Sequence, residues 1–458
     1  MTALLPGDDD TIVAVATAPG RGAVALVRLS GARAIPIARA LGAFGGIDGG
    51  DVHARRAQLV TLRDAAGAVM EQALVTAFVA PQSYTGEDVV ELATHGGLVS
   101  PDRVLAACVV AGARLAHPGE FTRRAVLNGR LDLLQAEAVA DLVDARTQAM
   151  QQQALAQLDG GLSRRLLALR DDVIHLEALI AYDIDFPEED DGPIAPARIG
   201  SAAIALRDAL DALLRTAPRG AMVRDGVLVV IAGPPNAGKS SLFNALLGES
   251  RAIVTAVPGT TRDAIEALLD RGGALPLRLV DTAGLRDTDD EVEKLGIEVS
   301  GRYLAQAQVV LACGASTDDV ARTMQVVSDR TTAPVIPVHT KCDLRAGRDE
   351  RDGGVPVSAE SGEGLSDLLE RIDAAVQQAI PASAHDSVII TRERHREGLT
   401  TARDEIAEFV RAWNSGALPA PVAAVHLLSA REAIAELIGS VETEEILGRV
   451  FRDFCIGK

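Results

Sequence analysis

The chain has 458 residues, 48% of them hydrophobic and 24% charged. That is enough apolar material for two to four packed domains, and it excludes wholesale disorder. With 64 acidic against 45 basic residues the net charge is −19, so the chain's own field repels nucleic acid and action on RNA needs a local patch or a basic partner.

No apolar run approaches the ~18 residues of a membrane span. Asp8, Asp9 and Asp10 stand near the start, with no basic run of the kind that opens a secretory signal. Cys108, Cys313, Cys342 and Cys455 lie far apart with no CxxC pair, which argues against a disulfide framework or a zinc site. A cytoplasmic location without membrane contact is expected.

In chain order, strand-like runs come first: Thr11 to Ala16, Ala23 to Leu29, Gln58 to Leu62 and Leu74 to Val79, punctuated by Gly and Pro. They predict a β-rich α+β unit. From Leu131 to Ile180 the chain has no proline. Leu155, Leu158, Leu162, Leu166, Leu169, Val173, Leu176 and Ile180 recur at steps of three and four. This predicts one apolar stripe along a long helix, interrupted at Gly160-Gly161 and ended near Asp185-Phe186-Pro187. Val227 to Ala232 is continuously apolar and reads as a buried parallel strand. Leu277 to Val280, Val309 to Ala312, Val335 to His339 and Val355 to Val357 follow, with helix-like stretches between. That is a multidomain α/β pattern with a mainly parallel sheet. After Pro381 helical periodicity returns with Leu399, Ile406, Phe409 and Trp413, then Val425, Leu428, Ile434 and Leu437. The expected divisions are 1–125, a helical part 126–220, an inserted α/β part 221–380 and a second helical part 381–458.

The strongest motif is Gly233-Pro-Pro-Asn-Ala-Gly238-Lys239-Ser240. It fits GxxxxGK[ST], follows a buried strand and precedes the helix-like run Ser241 to Leu247, the context a phosphate loop requires. Its glycines let backbone N–H groups face a phosphate. Lys239 supplies a positive charge, and the Ser240 hydroxyl is a hard ligand for magnesium. Thr260 and Thr261 sit in a Gly/Pro loop, where a hydroxyl can join magnesium while a γ-phosphate is present. Asp281-Thr282-Ala283-Gly284 ends a strand, where an aspartate can hold magnesium through water and Gly284 can approach the γ-phosphate. Thr340-Lys341-Cys342-Asp343 follows another strand. The Asp343 carboxylate can accept from guanine N1–H and the 2-amino group, a donor pair adenine lacks. The usual motif has asparagine at Thr340, so the packing of this loop is open. Ser358-Ala359 matches the last guanine loop. Five elements in order at strand ends predict a Ras-like guanine-nucleotide domain.

In Ras-like enzymes a glutamine after this Asp-x-x-Gly turn orients the attacking water. Here Leu285 stands there and cannot do so. Another group must place the water and offset the charge on the phosphates.

Two further stretches carry a resemblance. One runs from Pro118-Gly-Glu-Phe-Thr-Arg-Arg to Arg130 and on to Ala138; the other is Cys455-Ile-Gly-Lys458. With the guanine motifs they resemble the MnmE (TrmE) family of tRNA-modification GTPases from Thr11 to Lys458. The resemblance implies a folate-binding, dimerising N-terminal domain, a helical domain split around the G domain, and a homodimer. It also implies a heterotetramer with an MnmG-type flavoprotein that installs a carboxymethylaminomethyl group on C5 of the tRNA wobble uridine.

For the nucleotide it implies a site drawing on Asn236, Ala237, Gly238, Lys239, Ser240 and Ser241, and on Thr255, Ala256, Val257, Pro258, Gly259, Thr260 and Thr261. Asp281, Thr282, Ala283 and Gly284 join them, then Thr340, Lys341, Asp343, Ser358 and Ala359. It implies potassium held by Asn236, Thr255, Val257 and Thr260, and magnesium held by Ser240 and Thr261. A monovalent cation can stand where an arginine finger would. Lys239 and Glu293 are the implied catalytic groups, Glu293 positioning water in place of the missing glutamine. Arg28, Glu91, Arg130 and Lys458 are implied to line a pocket for 5-formyl-tetrahydrofolate or a related tetrahydrofolate. Thr94 departs from the common Glu-Leu-x-Gly-His-Gly-Gly. Cys455 is read either as a nucleophile or redox group beside Lys458, or as a small buried apolar residue. Two other classes stay in view: a ribosome-assembly GTPase, which would want a basic RNA-binding module, and a dynamin-like GTPase, which would want a membrane insert.

Overall fold

The structure is a computed structural model. It describes residues 9–46, 51–185, 195–249, 251–254, 265–272, 274–281, 301–344, 353–379, 388–416, 419–439, 450, 454 and 457. The chain divides into two compact units, residues 1–140 with 435–458, and residues 141–434.

The first unit is built on a six-stranded sheet of β1 (Ile12–Val15), β2 (Val24–Ser30), β3 (Gln58–Arg63), β4 (Val69–Phe78), β5 (Val89–His95) and β6 (Arg114–Leu115), in the order β3-β4-β5-β2-β1-β6. All pairs are antiparallel except β1 with β6. Side chains alternate across the pleat. On β2, Ala25, Val27 and Leu29 are buried, while Val24, Leu26 and Arg28 take the other face. The buried face packs on helices Ala34–Ala40 and Ser100–Val110 through Ile37, Ala38, Val104 and Cys108. On the opposite face the register lines up Leu26, Ala93, Leu74 and Leu59. Leu59 is 71% exposed and Leu74 50%. The expected strands omitted β5 and β6: Glu91 interrupts the apolar run of β5, and β6 has only two residues.

The second unit holds a seven-stranded sheet of β7 (Val227–Ala232), β8 (Arg251–Val254), β9 (Ile265–Asp270), β10 (Leu277–Asp281), β11 (Val309–Gly314), β12 (Val335–Thr340) and β13 (Val355–Val357). The order is β13-β12-β11-β7-β10-β9-β8. The five strands from β13 to β10 pair in parallel, and β9 and β8 add an antiparallel edge. All six residues of β7 are buried, because helices cover both faces of a parallel sheet. β8 and β9 were not expected: β8, at the sheet edge, opens with Arg251, β9 inside it carries Glu266 and Asp270, and no long apolar run marks either.

The same unit contains helices Gln148–Leu158, Gly161–Asp185, Pro196–Leu214 and Ala217–Asp225 before the sheet, and Glu393–Ser415 after it. Pro196–Leu214 lies along Glu393–Ser415, with an Asp211–Arg403 ion pair at 3.0 Å. Where the chain returns after the sheet, Ile390 N–H donates to Thr216 Oγ1 at 3.1 Å, so departure and return are pinned together.

The long-helix expectation is corrected. Leu162, Leu166, Leu169, Val173, Leu176 and Ile180 do form one buried stripe, each at most 1% exposed. Leu155 does not join it and is 47% exposed. Gly160 takes φ +79° between the two helices and resets the helical phase, so the earlier helix buries Ala154 and Gln157 instead. Val425 and Leu428 are likewise exposed, and Leu427, Ala430 and Ile434 form the buried face there.

Candidate functional site

The phosphate-loop motif occupies the turn from the C-terminal end of β7 into helix Lys239–Glu249. A side chain at Gly233 would place its Cβ 2.4 Å from Cys313 O, so only glycine allows this close crossing. Asn236 sits at φ +60°, a conformation that asparagine tolerates better than most residues. Lys239 is 7% exposed, and its ammonium donates to Gly233 O (3.0 Å) and Pro234 O (2.8 Å), so the charge is held at the mouth of the curl. Ser240 Oγ donates to Asp281 Oδ2 at 2.7 Å, with Asp281 1% exposed at the end of β10. Two hard oxygens meet there, a donor set that suits magnesium.

The base-selecting groups arrive from β12 and β13. Lys341 Nζ donates to Asn236 O (2.9 Å), and Thr340 Oγ1 to Ala237 O (2.5 Å), with Gly314 O a more distant acceptor at 3.2 Å. The threonine hydroxyl thus ties this loop to the phosphate loop, which answers the packing question left open by the missing asparagine. Ser358, fully buried, accepts from the N–H groups of Glu360 and Ser361 and shapes the last loop. Gly238, Ser241, Thr340, Lys341, Asp343 and Ala359 line a cleft of about 560 Å³. Asn236, Ala237, Gly238, Lys239, Ser240, Ser241, Asp281, Thr340, Lys341, Asp343, Ser358 and Ala359 therefore come together at one end of the sheet. Residues Thr255 to Thr261, Thr282, Ala283, Gly284 and Glu293 lie outside the described residues.

A second constellation lies in the first unit. Arg28 on β2 and Glu91 on β5 are register partners. Arg28 Nε and Nη2 both donate to Glu91 Oε1, at 3.0 and 2.8 Å. Arg28 Cζ lies 5.5 Å from the Tyr84 ring centre and 5.8 Å from that of Phe121, within cation–π range. Its Nη1 also donates to Gly457 O at 3.4 Å. Gly457 is at φ +96°, and a Cβ there would fall 2.7 Å from Val15 O. The C-terminal segment therefore reaches Arg28, although Cys455 and Lys458 themselves lie outside the described residues. Arg130 is exposed; its Cγ would lie 3.2 Å from a Cβ on Gly86, two residues from Tyr84.

Beneath this pair runs a polar network. Ser30 Oγ donates to Glu87 Oε2 (2.7 Å), and Arg124, 2% exposed, pairs with Glu87 at 3.0 Å. Arg114 pairs with Glu120 at 2.6 Å. Burial pushes the Glu120 carboxyl up. Arg114, the His117 N–H and Arg124 more than offset that and hold it below its ordinary range. Burial raises the Tyr84 phenol despite its Thr122 hydrogen bond and the nearby Arg28 charge. The expected site did not include Tyr84 or Phe121. Tyr84 and Phe121 stand 56 and 93 positions from Arg28 in the sequence, so no local pattern marked them.

Residues 133–455 match the family model of the MnmE helical domain, and residues 11–130 that of the GTP-binding protein TrmE N-terminus. The chain belongs to the MnmE family. The tRNA modification GTPase MnmE of Azoarcus sp. is 43% identical over 100% of both chains. The MnmE of Methylorubrum populi is also 43% identical over 100% of both, and that of Akkermansia muciniphila 40% over 98% of this chain and 99% of its own. A solved chain of Era from Aquifex aeolicus bound to GDP.AlF4− overlaps 39% of this chain and 65% of its own at 23% identity, with a TM-score of 0.26. Both constellations fall inside the MnmE-family match: Arg28, Glu91 and Arg130 in the stretch matched by the TrmE N-terminus, the phosphate loop in the stretch matched by the helical-domain model. Among the described residues no helix is long and apolar enough to cross a membrane.

Proposed function

We propose that this chain is a potassium-activated GTPase. Hydrolysis reorganises a homodimer that presents a folate one-carbon unit. With an MnmG-type flavoprotein and tRNA, it adds a carboxymethylaminomethyl group to C5 of the wobble uridine. The observation that supports this most is the meeting of Lys239, Ser240, Asp281 and the Thr340-to-Asp343 loop at one cleft, within a chain of the MnmE family. The domain divisions 1–125, 126–220, 221–380 and 381–458 belong to the same reading, as does a cytoplasmic location.

The roles of the chain's own groups follow from their chemistry. Backbone N–H groups of the curl bind the phosphates, with Lys239 adding a positive charge. Ser240, beside Asp281, holds magnesium together with Thr261, and the ion when bound neutralises charge on the phosphates. Asn236 begins a cage for potassium that Thr255, Val257 and Thr260 complete. Glu293 positions the water that Leu285 cannot. Arg28 and Arg130 suit the glutamyl carboxylates of a tetrahydrofolate, Glu91 suits the pterin N–H groups, and Lys458 closes the pocket next to Gly457. The exposed row of Leu59 and Leu74 lies on the sheet face that carries Arg28 and Glu91, which supports a homodimer covering it.

The deciding experiment has two arms. GTP turnover is measured in potassium and in sodium at equal ionic strength, and a several-fold higher rate in potassium is expected; equal rates would remove the cation role. Nucleosides of tRNA from a strain lacking the gene are analysed by mass spectrometry, and the wobble modification should be missing. Its persistence would remove the tRNA reading.

A further inference from the structure

The base-selecting loop departs from the usual motif at Thr340, and the hydrogen bonds there constrain which edge of a base it can read. Thr340 ends β12, is 4% exposed and lines the cleft with Asp343. Its Oγ1 has Ala237 O at 2.5 Å and Gly314 O at 3.2 Å. A hydroxyl carries one proton, and a backbone carbonyl only accepts. The Thr340 proton is therefore committed to the backbone, chiefly to Ala237 O. What remains on Oγ1 are lone pairs, which accept and cannot donate. An asparagine at this position has two amide protons, so it could hold a carbonyl and still donate to a base.

Guanine presents N7 and O6 on its Hoogsteen edge, and both are acceptors. The Thr340 side chain has no proton for either. Lys341 directs its ammonium to Asn236 O on the phosphate loop. The Watson–Crick edge is served differently, because the Asp343 carboxylate is exposed at the cleft and can accept from N1–H and the 2-amino group.

We infer that this site chooses its base on the Watson–Crick edge, without a hydrogen bond from residue 340 to N7, and therefore takes nucleotides of 7-deazaguanine as readily as those of guanine. The inference rests on the reading of this cleft as the guanine-nucleotide site.

The test is calorimetry of the full chain with GDP and with 7-deaza-GDP, which keeps O6, N1–H and the 2-amino group and lacks only the N7 acceptor. The two dissociation constants should agree within about 1.5-fold, whereas one neutral hydrogen bond contributes roughly two- to tenfold. Thr340→Val, which removes the tether to Ala237, should weaken both nucleotides alike and leave their ratio unchanged. A preference for GDP of about twofold or more in the wild-type chain would overturn the inference, whatever the ratio in Thr340→Val, while leaving the guanine site intact. Should the variant not fold, the wild-type ratio alone decides, and a gap of that size still overturns it. If GDP itself fails to bind, the nucleotide reading fails and takes this inference with it.

Discussion

Lys239 and Ser240 are adjacent at one helix start, yet they turn to different partners. Lys239 bends back over the carbonyls of Gly233 and Pro234, while Ser240 reaches across to Asp281. Replacing Lys239 by alanine removes the only side-chain cation that the phosphate-loop motif itself supplies, and GTP binding measured by calorimetry should fall at least tenfold. Glu293→Ala should bind GTP but hydrolyse it very slowly; a wild-type rate would exclude that role. In the other constellation, Arg28→Ala removes the partner of Glu91 and the donor to Gly457 O. Affinity for 5-formyl-tetrahydrofolate should drop about tenfold or more, since charge-assisted hydrogen bonds are worth about 1.5–3 kcal/mol. Glu120 carries a pH signature. Its folded pKa lies below its ordinary value of 4.5, so its stabilisation is present above that value and is lost as pH falls through the lowered one. The stability gap between the wild-type chain and Glu120→Gln, measured by urea denaturation, should be wide at neutral pH and narrow in strong acid.

At the scale of elements, the stripe and the sheet obey different rules. Leu169 is 1% exposed within helix Gly161–Asp185, and Leu155 is 47% exposed in the helix before it. Leu169→Ala should cost about 2–5 kcal/mol in denaturant unfolding, and Leu155→Ala about 0.5 kcal/mol or less. Spacing alone assigned both residues to one face. Three-residue and four-residue steps continue through Gly160 in the sequence, but the left-handed turn there breaks the phase, and a turn conformation is not a periodicity. Nine strands were legible from their apolar runs, most plainly β7 and β11, in which every residue is buried. β8 and β9 escaped because Arg251, Glu266 and Asp270 cut their apolar runs short, and β5 because Glu91 does the same there.

The whole molecule raises the matter of assembly and of the C-terminus. Leu59 and Leu74 are cross-strand partners on one exposed sheet face. Leu74→Asp should shift the chain from dimer to monomer in sedimentation velocity while the isolated GTP site still binds nucleotide. An unchanged dimer would place the contact elsewhere. Deleting residues 455–458 should leave GTP hydrolysis intact and abolish wobble-uridine modification, because Gly457 contacts Arg28 and the described residues that line the nucleotide cleft run from Gly238 to Glu360. Normal tRNA modification with the truncated chain would exclude that role.

What the amino-acid order determined unaided is the local chemistry: a strand, a glycine-bounded curl, Lys239 and Ser240 follow one another along the backbone, and short-range sterics decide their conformation. The resemblance added which distant residues to watch, including Arg28, Glu91 and the tail. Only the tertiary structure decided that Arg28 is shared between Glu91 and Gly457, under Tyr84 and beside Phe121, and that the one proton of Thr340 goes to Ala237. Those contacts join residues up to 429 positions apart. No periodicity encodes such a pairing, because it depends on how whole sheets and helices stack once their apolar faces have left water.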